Sequence, residues 1–330
     1  MTAYVIRRVL VMVPTMLVVS MFVFFLIQLP PGDFLTTYMA NLEAQGQDTE
    51  ALQDNIERLR VKYGTEQPFY LRYLRWITGV VQGDLGDSFI YFGVSVSSLI
   101  MERLGGTLLI TFVTLIFSWV VAIPIGIYSA THQYSILDHI FTFIAFIGRS
   151  IPTFFLALLL MTMIALAFGG SIGGLQSEEY LDAPWSVGKF IDLLGHLWVP
   201  MVIIGMSRTA AMMRVMRGNL LDILNVQYVQ TARAKGLPER VVIYKHAVRN
   251  ALHPLVMMLG MQIPLLISGA LIVSVVLSLP TVGPLLLEAL VAQDMYLAGA
   301  ILLIQVSLLL IGNLVADILL AWVDPRIQFH

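Results

Sequence analysis

The sequence predicts an all-α, polytopic membrane protein with six transmembrane helices and both termini in the cytoplasm. Three observations carry this. The chain of 330 residues is 58% hydrophobic and 12% charged, whereas a soluble domain is about half apolar and about one quarter charged. Its apolar residues gather into long runs that, at about 1.5 Å per residue, cross a hydrocarbon core of about 30 Å. Its basic residues concentrate on one alternate set of connecting segments, as expected of cytoplasmic loops.

The first run, Val9 to Leu29, follows Arg7 and Arg8. A basic start before an apolar run is also the layout of a secretory signal. This run is long enough to span, and no small-x-small cleavage pattern follows it, so it reads as a retained first helix. The next runs are Leu104 to Ser129, His139 to Phe168, Leu197 to Met213, Leu255 to Leu279 and Leu297 to Val323. Hydrocarbon offers no water to lone backbone groups, so each run is expected to be helical. A barrel would need short alternating segments, and these are absent. Pro14, Pro124, Pro152, Pro200 and Pro264 lie inside the runs and read as kinks.

With Arg7 and Arg8 in the cytoplasm, an even number of spans returns Arg326 to the same side. The segment holding Arg214, Arg217, Arg233, Lys235, Arg240, Lys245 and Arg249 against Asp222 and Glu239 falls there too. Residues 169–195 fall opposite, with Lys189 against Glu178, Glu179, Asp182 and Asp192. The organisation that follows is a first helix over residues 1–30, an extracytoplasmic segment over 31–103, and a five-helix core over 104–330 containing a cytoplasmic loop at 214–254. In the outer segment Phe69, Tyr70, Tyr73 and Trp76 recur at helical spacing beside Arg72 and Arg75. They predict an interfacial helix that braces the first span.

Composition excludes several function classes. A net charge of −2 supplies no field for nucleic acid, and with no cysteine there is no disulfide, thiolate site or thiol catalysis. No HExxH pattern supports an intramembrane enzyme, and no GxxxxGK[ST] loop is present to cradle nucleotide phosphates. His246 and His253 have no third ligand in view and read as surface histidines rather than a metal site.

The most informative stretch is YVQTARAKGLPERVVIYKHAVRNALHPL, Tyr228 to Leu255. Asp222 to Lys235 predicts a helix closed by Gly236, the residue favoured in the left-handed position past a helix end. Pro238 suits the first position of a second helix, and Glu239 favours that helix's positive end. Helix, tight turn, helix is the expectation, with Ala232, Ala234 and Gly236 small enough to let another protein approach. A basic helix that only anchors to anionic lipid would need the charge but not this spacing.

ARAKGLPERVVIYKHAVRNALHPL resembles the EAA-type cytoplasmic loop of permease subunits in binding-protein-dependent ABC importers, oligopeptide and dipeptide branch. IRRVLVMVPTMLVVSMFVFFLIQLPPGD, YGTEQPFYLRYLRWITGVVQGDLGDSF, SIPTFFLALLL and DPRIQF resemble other parts of the same subunits. Their order resembles the first, or B-type, permease of a heterodimeric pair. Thr231 stands at the motif's namesake acidic position, and LPTVGPLL replaces a Pro-Gly-x-Gly turn. The resemblance implies the type I importer fold and half of a translocation pathway for oligopeptides or dipeptides. It implies a second homologous permease, two cytoplasmic ATPase subunits carrying ATP and magnesium, and an extracytoplasmic substrate-binding protein, with no cofactor on this chain. It places Ala232, Ala234, Gly236 and Leu237 at the ATPase contact, bordered by Arg233, Lys235 and Glu239, with Pro238 in the turn. Oligosaccharides or another small solute are the alternative cargo. An ATP-independent channel or secondary carrier is a more distant reading, since neither needs the loop.

Charges inside spans are costly and mark function or stapling. Arg149, Arg208 and Asp317 are the candidates, and an Asp317 to Arg pair that staples helices is the favoured reading.

Overall fold

A computed structural model describes residues 2–29, 34, 67–168, 173–259 and 270–323. In chain order the helices are α1 (Thr2–Ile27), α2 (Phe69–Gln82), α3 (Val96–Thr131), α4 (Ile136–Ser150), α5 (Thr153–Phe168), α6 (Val187–Leu224) and α7 (Gln227–Ala234). Next comes a helix that begins at Glu239–Val241, widens to π geometry over Val242–Val248 and closes at Arg249–Ala251, together α8. Residues 253–259 are helical, and α9 (Leu271–Val276), α10 (Val282–Val291) and α11 (Met295–Val323) complete the set. Among the described residues the sole extended pairing is an isolated bridge between Asp87 and Ser95.

By length and composition α1, α3, α6 and α11 each suffice to cross a bilayer. The run His139 to Phe168, expected as one kinked span, is two helices, α4 and α5, bent by 104° at their junction, the geometry of a broken span or a re-entrant loop. Proline explains the break. Pro152 has no N–H to donate, and its ring drives the preceding residue out of the helical region; Ile151 sits at φ −88°, ψ 126°. Pro14, Pro124 and Pro200 lie inside unbroken helices. The expected span Leu255 to Leu279 includes residues outside the described ones, as do Pro264, Arg326 and the DPRIQF end.

The chain forms two compact units. The first comprises Met1–Gly105 and Thr281–Ser307. Here α2 lies on α1 through an aromatic cluster: the Phe24 ring is 5.2 Å from Phe69, 5.4 Å from Tyr73 and 5.5 Å from Trp76. The Tyr73 hydroxyl also pairs with Ser20 at 2.8 Å. Phe24 and Trp76 are both fully buried, so this face of α2 belongs to the interior. At the junction of α10 and α11, Asp294 is buried and sequence-distant groups converge on it. Its Oδ2 accepts from the Ser88 hydroxyl (2.6 Å) and from the N–H groups of Phe89 (2.6 Å) and Ile90 (3.1 Å), while Oδ1 accepts from Leu297 N–H (3.0 Å). Among the described residues these donors satisfy a buried carboxylate without a cation, and its burial requires such partners.

The second unit comprises Gly106–Pro280 and Leu308–His330. Its central member is α6, whose 38 residues make about 57 Å of helix. That is well beyond the bilayer core, so α6 carries the fold out of the membrane. α3 approaches closely at Gly126, where a Cβ would lie 2.7 Å from Cβ of Met216. α4 is fixed to α6 by Arg217, whose Nε and Nη2 donate to the two oxygens of buried Asp138 at 3.0 Å each. Asp138 also accepts from Tyr134 N–H at 3.0 Å, so its charge is held by several donors at once.

Asp294→Ala strands the converging donors, each costing about 1–3 kcal/mol. The thermal unfolding midpoint of the purified variant is expected to fall clearly below that of the parent in the same detergent.

Candidate coupling site

The basic cassette lies in the second unit, where α6 ends. Asp222 is still part of α6, and the helix expected to run from Asp222 to Lys235 breaks at Asn225 and Val226 before α7 begins. The Asn225 side chain donates to the Leu221 carbonyl at 3.0 Å, competing for an end carbonyl and marking the stop.

α7 closes in a Schellman motif. Leu237 N–H reaches the Ala232 carbonyl (3.4 Å) and Gly236 N–H reaches the Arg233 carbonyl (2.9 Å). Gly236 has φ +73°, and a Cβ built there would meet nothing within 4 Å. The glycine is needed for its backbone angle, and the space beside it is open. Pro238, expected as the first helical residue, is the N-cap with ψ 139°, so α8 starts one residue later at Glu239.

Two side-chain ties hold the helices together. At the turn, Arg233 Nη2 donates to Glu239 Oε1 at 2.7 Å and Nε donates to both carboxylate oxygens at 3.2 Å. Its Nη1 donates to the Leu224 carbonyl at 3.3 Å, returning to the end of α6. The Arg233 hydrogen bonds hold the Glu239 carboxyl below its ordinary range, and the same contact raises the Arg233 guanidinium. Away from the turn, Asn250 Nδ2 donates to the Tyr228 hydroxyl at 2.6 Å.

The underside of the cassette is apolar. Val229, Ala232, Val242, Ala247, Val248 and Ala251 are buried in one cluster with Met212, Met213, Met216 and Leu220 of α6, Ala122 of α3 and Ala145 of α4. Each fully buried valine contributes about 1.5–3 kcal/mol. The opposite edge is open: Ala234, Lys235, Gly236, Leu237, Pro238 and Glu239 are exposed, and Arg233 is half-buried by its ties. Ala232, expected at the contact edge, is 6% exposed and faces the core.

Arg149 is exposed and Arg208 half-buried, and neither forms an ion pair among the described residues; Asp317 is half-buried on α11. The ion pair that staples α4 to α6 is Asp138 with Arg217, which spacing along the chain did not reveal. His246 and His253 are half-buried, and the described residues contain no group of three His, Asp or Glu side chains placed to hold a metal. The site offers a shaped, open surface on a buried base.

Residues 122–329 match the family described as binding-protein-dependent transport system inner membrane component, and residues 1–111 match its N-terminal membrane component. The chain belongs to this family. It is an inner-membrane permease component. It is 37% identical over 329 residues to the oligopeptide transport system permease protein AppB of Bacillus subtilis, covering 100% of both chains. It is 30% identical over 345 residues to the dipeptide transport system permease protein DppB of Escherichia coli K12, covering 99% of each. It is 32% identical over 330 residues to the glutathione transport system permease protein GsiC of Salmonella paratyphi A, covering 100% of each. The solved MetNI methionine ABC transporter, inward facing, shares the fold at a TM-score of 0.54 and 18% identity, over 69% of this chain and 97% of that one. The fold is therefore that of an ABC importer permease.

The Arg233 to Glu239 tie has a calculable pH signature. Because the folded-state pKa of Glu239 is lowered from 4.5, its stabilisation is complete above that value and is lost as pH falls through the lower folded value. As an exposed pair it contributes about 0.2–1 kcal/mol. Glu239→Gln is expected to unfold at a slightly lower temperature than the parent at neutral pH. The gap is expected to close when both melting curves are recorded well below 4.5.

Proposed function

We propose that this permease imports oligopeptides or dipeptides, forming half of the translocation pathway and taking its drive from a separate ATPase that seats on the turn Ala234 to Glu239. One observation carries the reading: an exposed turn is mounted on a buried underside shared with α3, α4 and α6. A partner pressing on the turn therefore presses on the spans.

The proposed assembly has a second homologous permease, two cytoplasmic ATPase subunits binding ATP and magnesium, and an extracytoplasmic substrate-binding protein. Closure of the ATPases draws the cassettes of the two permeases together, and the spans rock between inward-facing and outward-facing arrangements. Ala234, Gly236, Leu237 and Pro238 form the contact in this scheme. Arg233 and Glu239 hold the turn's shape, Lys235 borders it, and Ala232 anchors α7 from beneath. Arg149, Arg208 and Asp317 are proposed as intramembrane polar contacts beside the pathway. The full-length similarity to oligopeptide and dipeptide permeases supports peptide cargo. The comparable similarity to a glutathione permease favours a second reading, a small peptide-like solute.

Gly236→Arg forces a long side chain into the open space beside the turn and a non-glycine residue into the left-handed region. Reconstituted with its partners in vesicles, the variant is expected to insert normally and to lose ATP-dependent uptake. Uptake at the parental rate contradicts ATPase docking at this turn, and parental uptake without ATP points to a carrier.

A further inference from the structure

We infer that Tyr228 and Asn250 form a positioning tie that passes displacement of α7 into the wide turn of α8, so that losing it lowers cargo moved per ATP without abolishing ATP hydrolysis. The inference rests on the proposed docking at the turn and assigns a role to two residues outside it.

Three groups meet at one point. Asn250 Nδ2 donates to the Tyr228 hydroxyl at 2.6 Å. The Tyr228 hydroxyl donates toward the His246 carbonyl at 3.4 Å, and Asn250 Nδ2 reaches the same carbonyl at 3.4 Å. His246 lies within the π-helical stretch Val242–Val248. Tyr228 therefore engages the backbone of the wide turn itself, as well as the side chain of Asn250 in the α-helical turn that follows it. Short π stretches inside helices occur often at functional sites.

The placement matters mechanically. Arg233 and Glu239 tie α7 to α8 at the turn, and Tyr228 with Asn250 ties them near the other end of α7. With both ties α7 cannot pivot about the turn when a partner pushes on it. With only the turn tie it can swing and dissipate the push before the π stretch feels it. The apolar underside, Val229 and Ala232 against Val242 and Ala247, resists separation but lacks direction. Hydrogen bonds supply the directional constraint. Tyr228 is 41% exposed, so losing its hydroxyl leaves no cavity in the core.

The test uses the complete transporter in proteoliposomes, with radiolabelled dialanine and pentaalanine as cargo and phosphate release measured in parallel. Tyr228→Phe and Asn250→Leu are expected to assemble, to keep ATP hydrolysis stimulated by the binding protein, and to carry about fivefold less peptide per ATP, the size of effect one lost hydrogen bond produces. Asn250→Asp is expected to stay near the parental ratio, because the Tyr228 hydroxyl can donate to the new carboxylate. Parental ratios in Tyr228→Phe and Asn250→Leu overturn the inference. So does equal loss in Asn250→Asp and Asn250→Leu, and so does failure of Tyr228→Phe to assemble, which would make the tie a folding contact. Absence of ATP-dependent peptide uptake by the parental complex is a separate outcome and overturns the underlying functional reading instead.

Discussion

Everything proposed for this permease depends on the burial of the cassette's underside. Val229 and Ala232 from α7 and Val242, Ala247, Val248 and Ala251 from α8 share one close-packed cluster with the end of α6 and with residues of α3 and α4. Packed side chains transmit displacement because interiors are dense and resist compression. An element tethered only by its two chain ends would move independently of the membrane part. This one is continuous with the core from which the spans rise.

Polar contacts refine what burial establishes. Asp138 and Arg217 bind α4 to α6 close to where α6 leaves the core, and Arg233 binds the cassette's turn back to the end of α6 through the Leu224 carbonyl. A buried ion pair of the first kind adds little net stability but is costly to break once formed, so it specifies one arrangement of the two helices. The exposed pair at the turn adds less and acts by geometry, holding an open surface in one shape. In the other unit Asp294 does comparable work through hydroxyl and backbone donors, gathering the Ser88 loop onto the start of α11.

Legibility in the sequence followed the range of the interactions. The long helices were readable because bilayer physics demands them of any sufficiently long apolar run. Gly236 was readable because its left-handed angle is a local requirement. Proline was only half readable. Pro124 and Pro200 sit in continuous helices and Pro152 at a 104° bend, a difference that the residue type alone does not carry. Ala232 and Ala234 looked equivalent in the motif, yet the winding of α7 turns one inward and one outward. Asp138 and Arg217 stand 79 positions apart, and Tyr228 and Asn250 lie on different helices. No spacing rule reaches such pairs, because they exist only once the helices have packed.

That inward and outward division is the most direct handle on the central claim. The chain contains no cysteine, so Ala234→Cys and Ala232→Cys each introduce a single thiol. Labelling both variants with a membrane-impermeant maleimide, with the cytoplasmic face accessible and with or without the ATPase subunits, reads out which face is covered. The expected result is rapid labelling of Ala234→Cys that the ATPase blocks, and slow labelling of Ala232→Cys in both conditions. Labelling of Ala234→Cys at an unchanged rate with the ATPase bound, in a complex shown to be assembled, would contradict the account.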